Sequence, residues 1–148
     1  MKPVFKPFET GDANAVVAMM QEFYAIDNYP IDAAVSKDLF MQFTENDGLG
    51  RGWVIRYDGK PVGYVILTFV FSFEYKGRIA FLDELFFLPD ARGLGLGKQT
   101  LDFIAEQAKL LSVKILYLEV EWHNARAQKL YLSKGFIMHN RGMMKMVV

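Results

Sequence analysis

No cysteine occurs in the 148 residues, so the chain can form no disulfide and offers no thiolate nucleophile. Neither sign of charge is in excess: Lys+Arg and Asp+Glu count 17 each, which leaves no net positive field to gather nucleic acid or an anionic membrane. Long apolar runs are missing too, the longest being about Tyr64 to Phe73, too short to span a bilayer. The opening Met1-Lys2-Pro3-Val4-Phe5-Lys6-Pro7 lacks the apolar core of a signal peptide, so a cytoplasmic protein is expected. Only two histidines occur, His123 and His139, and neither stands at a familiar spacing from a nucleophile or a metal-ligating partner. They are expected at the surface, and no metal is expected. Repeats, low-complexity tracts and linkers are absent, so residues 1–148 are expected to form one domain. What is plentiful is apolar and aromatic side chain, 52% and 15%, which suits a well-packed globule.

Periodicity gives the order of elements. Val4 to Glu9 reads as a strand, and Thr10 or Asp12 can cap the following helix, whose Val16, Val17, Met20, Phe23 and Tyr24 share one face. Asp27-Asn28-Tyr29-Pro30 breaks it, and a second helix is expected to bury Ala34, Val35, Leu39, Phe40 and Phe43. After a glycine-rich loop, Trp53–Tyr57 pairs with Val62 onward through Asp58-Gly59, a strong hairpin signal. Lys76-Gly77 turns the long second arm back into Ile79–Leu88. From Gly95 the spacing is helical, with Leu101, Ile104, Ala105, Ala108 and Leu111 inward. Ile115–Trp122 is rich in strand formers and, following a strand–helix unit, is expected parallel to Ile79–Leu88. A last helix capped by Asn124 ends at Gly135, and Phe136–His139 with Met143–Val148 is expected to form a final hairpin. The order β-α-α-β-β-β-α-β-α-β-β predicts an α/β (α+β) mixed sheet with helices on both faces.

The most informative stretch runs from Leu82 to Lys98: an apolar strand, a turn at Pro89, glycines at 93, 95 and 97, then a helix start. Such a turn lets backbone approach a ligand closely, and the helix aims unpaired N–H groups at one point, a place for a phosphate. Two familiar phosphate motifs fail. A P-loop would need glycine where Arg92 stands and a hydroxyl where Gln99 stands. GxGxxG fits Gly93 and Gly95 but meets Lys98 at its third glycine.

Arg92-x-x-Gly95-x-Gly97 does fit a third pattern. It resembles the (Arg/Gln)-x-x-Gly-x-(Gly/Ala) motif of the GNAT superfamily of acyl-CoA-dependent N-acyltransferases. Downstream, Asn124-x-x-Ala127-x-x-Leu130-Tyr131-x-x-x-Gly135-Phe136 is similar to that family's second motif. Together they cover roughly residues 78–140, and Leu82–Gly97 with Glu121–Asn124 look most like the spermidine/spermine type of acetyltransferase. The resemblance implies that two central parallel strands splay apart and admit the pantetheine arm of acetyl-CoA. It would pair with backbone of Leu85, Phe86 and Phe87, the pyrophosphate resting on the amides of Gly93, Leu94, Gly95, Leu96, Gly97 and Lys98 beside Arg92. A merely tight turn is the plainer reading of the glycines, and Lys98 is either a phosphate partner or solvated. Asn124 is either a cofactor contact or only a helix cap.

Tyr131 is, on spacing, a packed helix-face tyrosine. The family motif makes it the acid that protonates the departing CoA thiolate. Asp83 and Glu84 are two acids in an apolar strand, where unpartnered acids are rare. Successive strand residues face opposite ways, so at most one enters a given cleft unless a bulge intervenes. The resemblance puts Asp83 at the commoner general-base position and Glu84 at an adjacent, substrate-facing one. The alternative is a salt bridge of one acid with Arg56 or Arg78 and the other in solvent. Tyr24, Asp27, Tyr29 and Asp32, with Phe71, Phe73, Glu74 and Tyr75, are the acceptor-binding candidates, acids and aromatics together suiting a small cationic amine. The expected function is acetyl transfer to a small-molecule primary amine such as a polyamine or amino acid. A protein acetyltransferase and a non-catalytic acyl-CoA-binding module are the alternatives. The apolar Tyr64–Tyr75 hairpin also offers a homodimer surface.

Overall fold

The computed structural model describes residues 1–148. Strand β1 (Val4–Pro7) leads through a 3-10 turn into helix α1 (Ala13–Ile26), and α2 (Ala33–Thr44) follows. The Asp32 carboxylate caps α2, accepting from the Val35 N–H at 3.1 Å. Strands β2 (Gly50–Tyr57), β3 (Lys60–Ser72) and β4 (Gly77–Phe87) form an antiparallel meander. Its first turn uses Asp58 and Gly59, both at positive φ, as a tight hairpin of this kind demands. Pro89–Ala91 then forms a 3-10 turn before α3 (Leu96–Leu110), β5 (Leu116–Tyr117) and α4 (Ala125–Ser133).

The five strands lie in the order β1-β2-β3-β4-β5, with β4 and β5 parallel and every other pair antiparallel. Helices α1 and α2 cover one face, where Val16, Val17, Met20 and Phe40 pack with Val54, Tyr64, Ile66 and Phe86. Helices α3 and α4 cover the other, where Leu101 and Ile104 pack with Trp53, Ile55, Val65, Leu67 and Leu82, and Leu130 and Tyr131 close the edge. Each fully buried aliphatic side chain contributes about 1.5–3 kcal/mol, so these two clusters supply most of the driving force. No helix is long and apolar enough to cross a membrane.

Four expectations are corrected. The final hairpin is absent: no strand follows Tyr117, and Met144, Met146, Val147 and Val148 are exposed. The fifth strand holds two residues rather than Ile115–Trp122, and this accounts for the missing hairpin, since a strand needs a neighbouring ladder to satisfy its backbone. In α2 only Phe40 is buried, with Ala33, Met41 and Phe43 partly so, while the expected Ala34, Val35 and Leu39 are exposed. Helical spacing fits both rows, and only packing against α1 decides between them. In α3, Ala105 is likewise exposed, and Thr100 is the buried residue that joins Leu101 and Ile104.

Strand β4 carries a bulge that arranges the site. Ile66 lies opposite Glu84 and Leu67 opposite Leu82, so Asp83 is an extra residue without a partner. Leu82 and Leu85, three apart, consequently pack into the same cluster, which an uninterrupted period-two strand forbids.

Candidate active site

The parallel ladder between β4 and β5 is two rungs long, Ala80 opposite Leu116 and Phe81 opposite Tyr117. Beyond it β4 continues six more residues, to Phe87, with no ladder on that side. Backbone from Leu82 to Phe87 therefore has no ladder to β5, the place where the resemblance puts the entry of acyl-CoA. The Phe87 carbonyl, however, already accepts from Arg92 Nε at 3.0 Å, and the guanidinium lies 5.6 Å from the Phe86 ring centre. Arg92 thus braces the end of β4.

The turn after β4 follows this stretch. Gly93 and Gly95 both hold φ of +78°, left-handed backbone that residues with a Cβ rarely adopt. Gly95 is the N-cap of α3 and has no side chain to satisfy the first-turn amides, so those of Leu96, Gly97 and Lys98 are left for a ligand at the positive end of the dipole. Gly97 has another explanation. A Cβ there would stand 3.0 Å from Leu130 Cδ2, so this glycine lets α3 and α4 approach. Leu94 and Lys98 are exposed.

The bulge brings the two acids together on the strand in an unequal setting. Glu84 Oε2 accepts from Tyr24 Oη and Glu84 Oε1 from Tyr64 Oη, both at 2.7 Å. Burial raises its pKa, the two phenols lower it in turn, and the charge of Asp83 raises it again. Asp83 has no hydrogen bond or ion pair from the chain, and burial, then the charge of Glu119, holds its pKa above the usual value. Neither acid pairs with an arginine: Arg78 donates to Leu111 O at 3.0 Å and Arg56 to Gly59 O at 2.6 Å.

Tyr131 projects from α4 into the α3-side cluster, its ring 5.8 Å from that of Phe136. Burial pushes its phenol pKa up, so it stays protonated well into the alkaline range. Asn124 is the α4 cap, with Oδ1 accepting from the Ala127 N–H at 3.1 Å. Of its two readings, the cap is the one the coordinates display.

Of the eight acceptor candidates, Tyr24, Asp27 and Tyr29 gather on one side. Tyr24 reaches Glu84, Tyr29 Oη donates to Glu121, and Asp27 Oδ1 lies 3.0 Å from His123 Nε2. The turn after α1 is thereby tied to the segment after β5, with Glu119 close enough to act on both Asp83 and Tyr29. Glu74 stands apart: Arg141 holds both its oxygens, at 2.7 and 2.9 Å, and lowers its pKa. Asp32 is committed to capping α2. Phe71 and Phe73 are exposed on the far hairpin. Sequence reasoning missed Tyr64, Glu119 and Glu121. The alternate spacing of Glu119 and Glu121 carried a signal for a shared side, whereas Tyr64 meets Glu84 only through strand register. A cavity of about 310 Å³ lined by Phe43, Arg51, Trp53 and Gln107 shares no residue with this site and lies toward the other end of α3.

Known proteins give the same picture. A family model described as Acetyltransferase (GNAT) family matches residues 16–136. An uncharacterised N-acetyltransferase of Bacillus subtilis (strain 168) is 34% identical over 79 residues, 53% of each chain. A thialysine N-epsilon-acetyltransferase of Bos taurus is 25% identical over 138 residues, covering 84% of this chain and 78% of that one. The chain spans about half the length of the first curated relatives it matches. Among solved structures, a predicted acetyltransferase with acetyl-CoA from Clostridium acetobutylicum superposes with a TM-score of 0.79 at 15% identity, over 97% of this chain and 95% of that one. With the two-rung ladder, the uncapped glycine turn and a family match across most of its length, this chain belongs to the acetyltransferase (GNAT) family.

Proposed function

We propose that the protein transfers an acetyl group from acetyl-CoA directly to a primary amine of a small cationic molecule, within a ternary complex. The observation that carries this reading is the stretch of β4 without a ladder to β5, with the uncapped α3 N-terminus following it. The amides of Leu96, Gly97 and Lys98 would hold the pyrophosphate, and backbone of Leu85 and Phe86 the pantetheine. Five acids, Asp27, Asp83, Glu84, Glu119 and Glu121, stand around Tyr24 and Tyr29, which favours a positively charged acceptor. The match to a relative named for thialysine supports a small-molecule amine, and the motif likeness to spermidine/spermine acetyltransferases makes a polyamine the first acceptor to try.

An alkylammonium of pKa near 10.4 is neutral at pH 7 about once in 2,500 molecules, a handicap of roughly 4.6 kcal/mol. Asp83, unengaged by any donor, takes one proton from the ammonium nitrogen, directly or through water. The nitrogen lone pair then attacks the thioester carbonyl carbon, and a β4 amide beyond the ladder stabilises the oxyanion, a contact worth about 2.7–4 kcal/mol. Collapse breaks the C–S bond, and Tyr131 gives its proton to the thiolate. The second proton leaving the nitrogen restores the phenol. The balance is ammonium plus acetyl-CoA giving amide, CoA thiol and one proton released from Asp83.

Acetyl-CoA consumption should be followed with a panel of spermidine, putrescine, lysine, thialysine and a lysine-containing peptide. Turnover with a small cationic amine supports the reading. Turnover with the peptide alone would move the assignment to a protein acetyltransferase, and none at all, with acetyl-CoA bound, to a binding module.

A further inference from the structure

Glu84 is held more firmly than an acid that only shuttles protons requires. Its two oxygens each receive a phenolic O–H at 2.7 Å, one from α1 and one from the adjoining strand. Tyr64 is fully buried on β3 and stands diagonal to Glu84, since its own cross-strand partner is Phe86. Tyr24 comes from the other layer and is half-buried, its ring 6.0 Å from that of Phe23. A phenol has a single proton to donate, so both are committed to this carboxylate. The groups facing Glu84 are therefore two donors and one like charge, Asp83, with no cation from any element. Each carboxylate oxygen keeps a lone pair for a further donor.

We infer that Tyr24 and Tyr64 are positioning residues that fix Glu84 as a stationary anion for the acceptor's ammonium, while the unengaged Asp83 beside it takes the proton. This deepens, and rests on, the amine-transfer reading above. A carboxylate with both oxygens donated to is anchored against rotation, and the two phenols offset part of the burial that raises the pKa of Glu84. The neighbouring bulge residue stays free to change protonation during turnover.

The test compares wild type with Tyr24→Phe, Tyr64→Phe and Glu84→Gln, using acetyl-CoA and the best amine of the panel. Each Tyr→Phe change should raise the acceptor KM about tenfold, the scale of one lost hydrogen bond to a charged group, and leave the KM for acetyl-CoA within twofold. Removing a donor disfavours the ionised carboxylate, so the acid limb of kcat/KM should move to higher pH. In a Glu84→Gln background, Tyr24→Phe should add less than a twofold change, because its partner charge is gone. An unmoved acid limb and unmoved acceptor KM in Tyr24→Phe would overturn the inference, as would a full effect persisting in Glu84→Gln. Tyr24 is half-exposed, so that variant reports even where Tyr64→Phe fails to fold. A pH titration of the Glu84 carboxyl by carbon-13 NMR reads the same clamp without turnover. An upward shift in Tyr24→Phe with no acetylation of any amine would sustain the clamp and sink the transfer reading, and an unshifted titration would sink the clamp.

Discussion

Replacing Gly95 by alanine separates the cost to the fold from the cost to the cofactor. The residue holds φ +78° and ψ +10°, and a Cβ built on it meets no heavy atom within 4 Å. The new methyl collides with nothing in the protein, so the fold pays only for left-handed backbone, about 1–2 kcal/mol. At this chain length each kcal/mol moves Tm by about 2–4 °C, which puts the unliganded variant roughly 2–8 °C below wild type. Acetyl-CoA at a hundred times its Kd stabilises the native state by about 2.7 kcal/mol, an upward shift of roughly 5–11 °C. On the proposed reading, that ligand's phosphates approach the α3 amides through the space beside Gly95, and the methyl would fill it. A fiftyfold loss of affinity leaves about 0.65 kcal/mol at the same concentration, or roughly 1–3 °C. Scanning fluorimetry with and without acetyl-CoA reads both quantities on one sample. A Gly95→Ala protein that keeps the full ligand shift would refute the assignment of this turn to the pyrophosphate.

Tyr131→Phe removes the phenolic oxygen but keeps the ring beside Phe136, so turnover should fall about 10²- to 10⁴-fold with Tm and acetyl-CoA affinity unchanged. An unchanged kcat would return this residue to packing alone. Burial and Glu119 raise the Asp83 pKa above its ordinary 3.8, and the residue accepts a proton only when ionised. Wild-type kcat/KM should therefore fall as pH drops through a midpoint above 3.8; in Asp83→Asn most of the rate should be lost, and the limb that remains should be the one Glu84 gives, displaced from the wild-type midpoint. Persistence of the same limb in the variant would assign it elsewhere. Ile104 is 1% exposed in the α3-side cluster, and truncation to alanine should cost about 2–5 kcal/mol, read by chemical denaturation. A loss under 1 kcal/mol would show that the cluster closes over the cavity.

Local chemistry made the first two-thirds of the fold legible. Asp58-Gly59 fixed a hairpin, the apolar rows of α1 and α3 fixed their buried faces, and Arg92 to Gly97 announced a helix start without a side-chain cap. Legibility stopped where the outcome depends on a partner. Residues 115–122 have the composition of a long strand, yet only Leu116 and Tyr117 find a ladder. Met143–Val148 are apolar apart from Lys145, yet they pair with no strand. The adjacent acids were visible, and the family resemblance already pointed to Asp83 as base and Glu84 as substrate-facing; what no local signal carried is the engagement of Glu84 by Tyr64 and Tyr24, 20 and 60 residues distant along the chain. The pairing of Glu74 was hidden for the same reason, its partner Arg141 being 67 residues away.

The bulge at Asp83 means that the two acids owe their arrangement to a count rather than to residue identity. Deleting any one residue between Leu82 and Leu85 would restore strict alternation while leaving an acid in the strand. Such a protein would keep its glycine turn and its tyrosine, and a comparison by substitutions would score it as nearly unchanged. It would nonetheless keep one carboxylate where the strand now carries two, so in relatives of this chain the spacing from the acids to the arginine is the character to read.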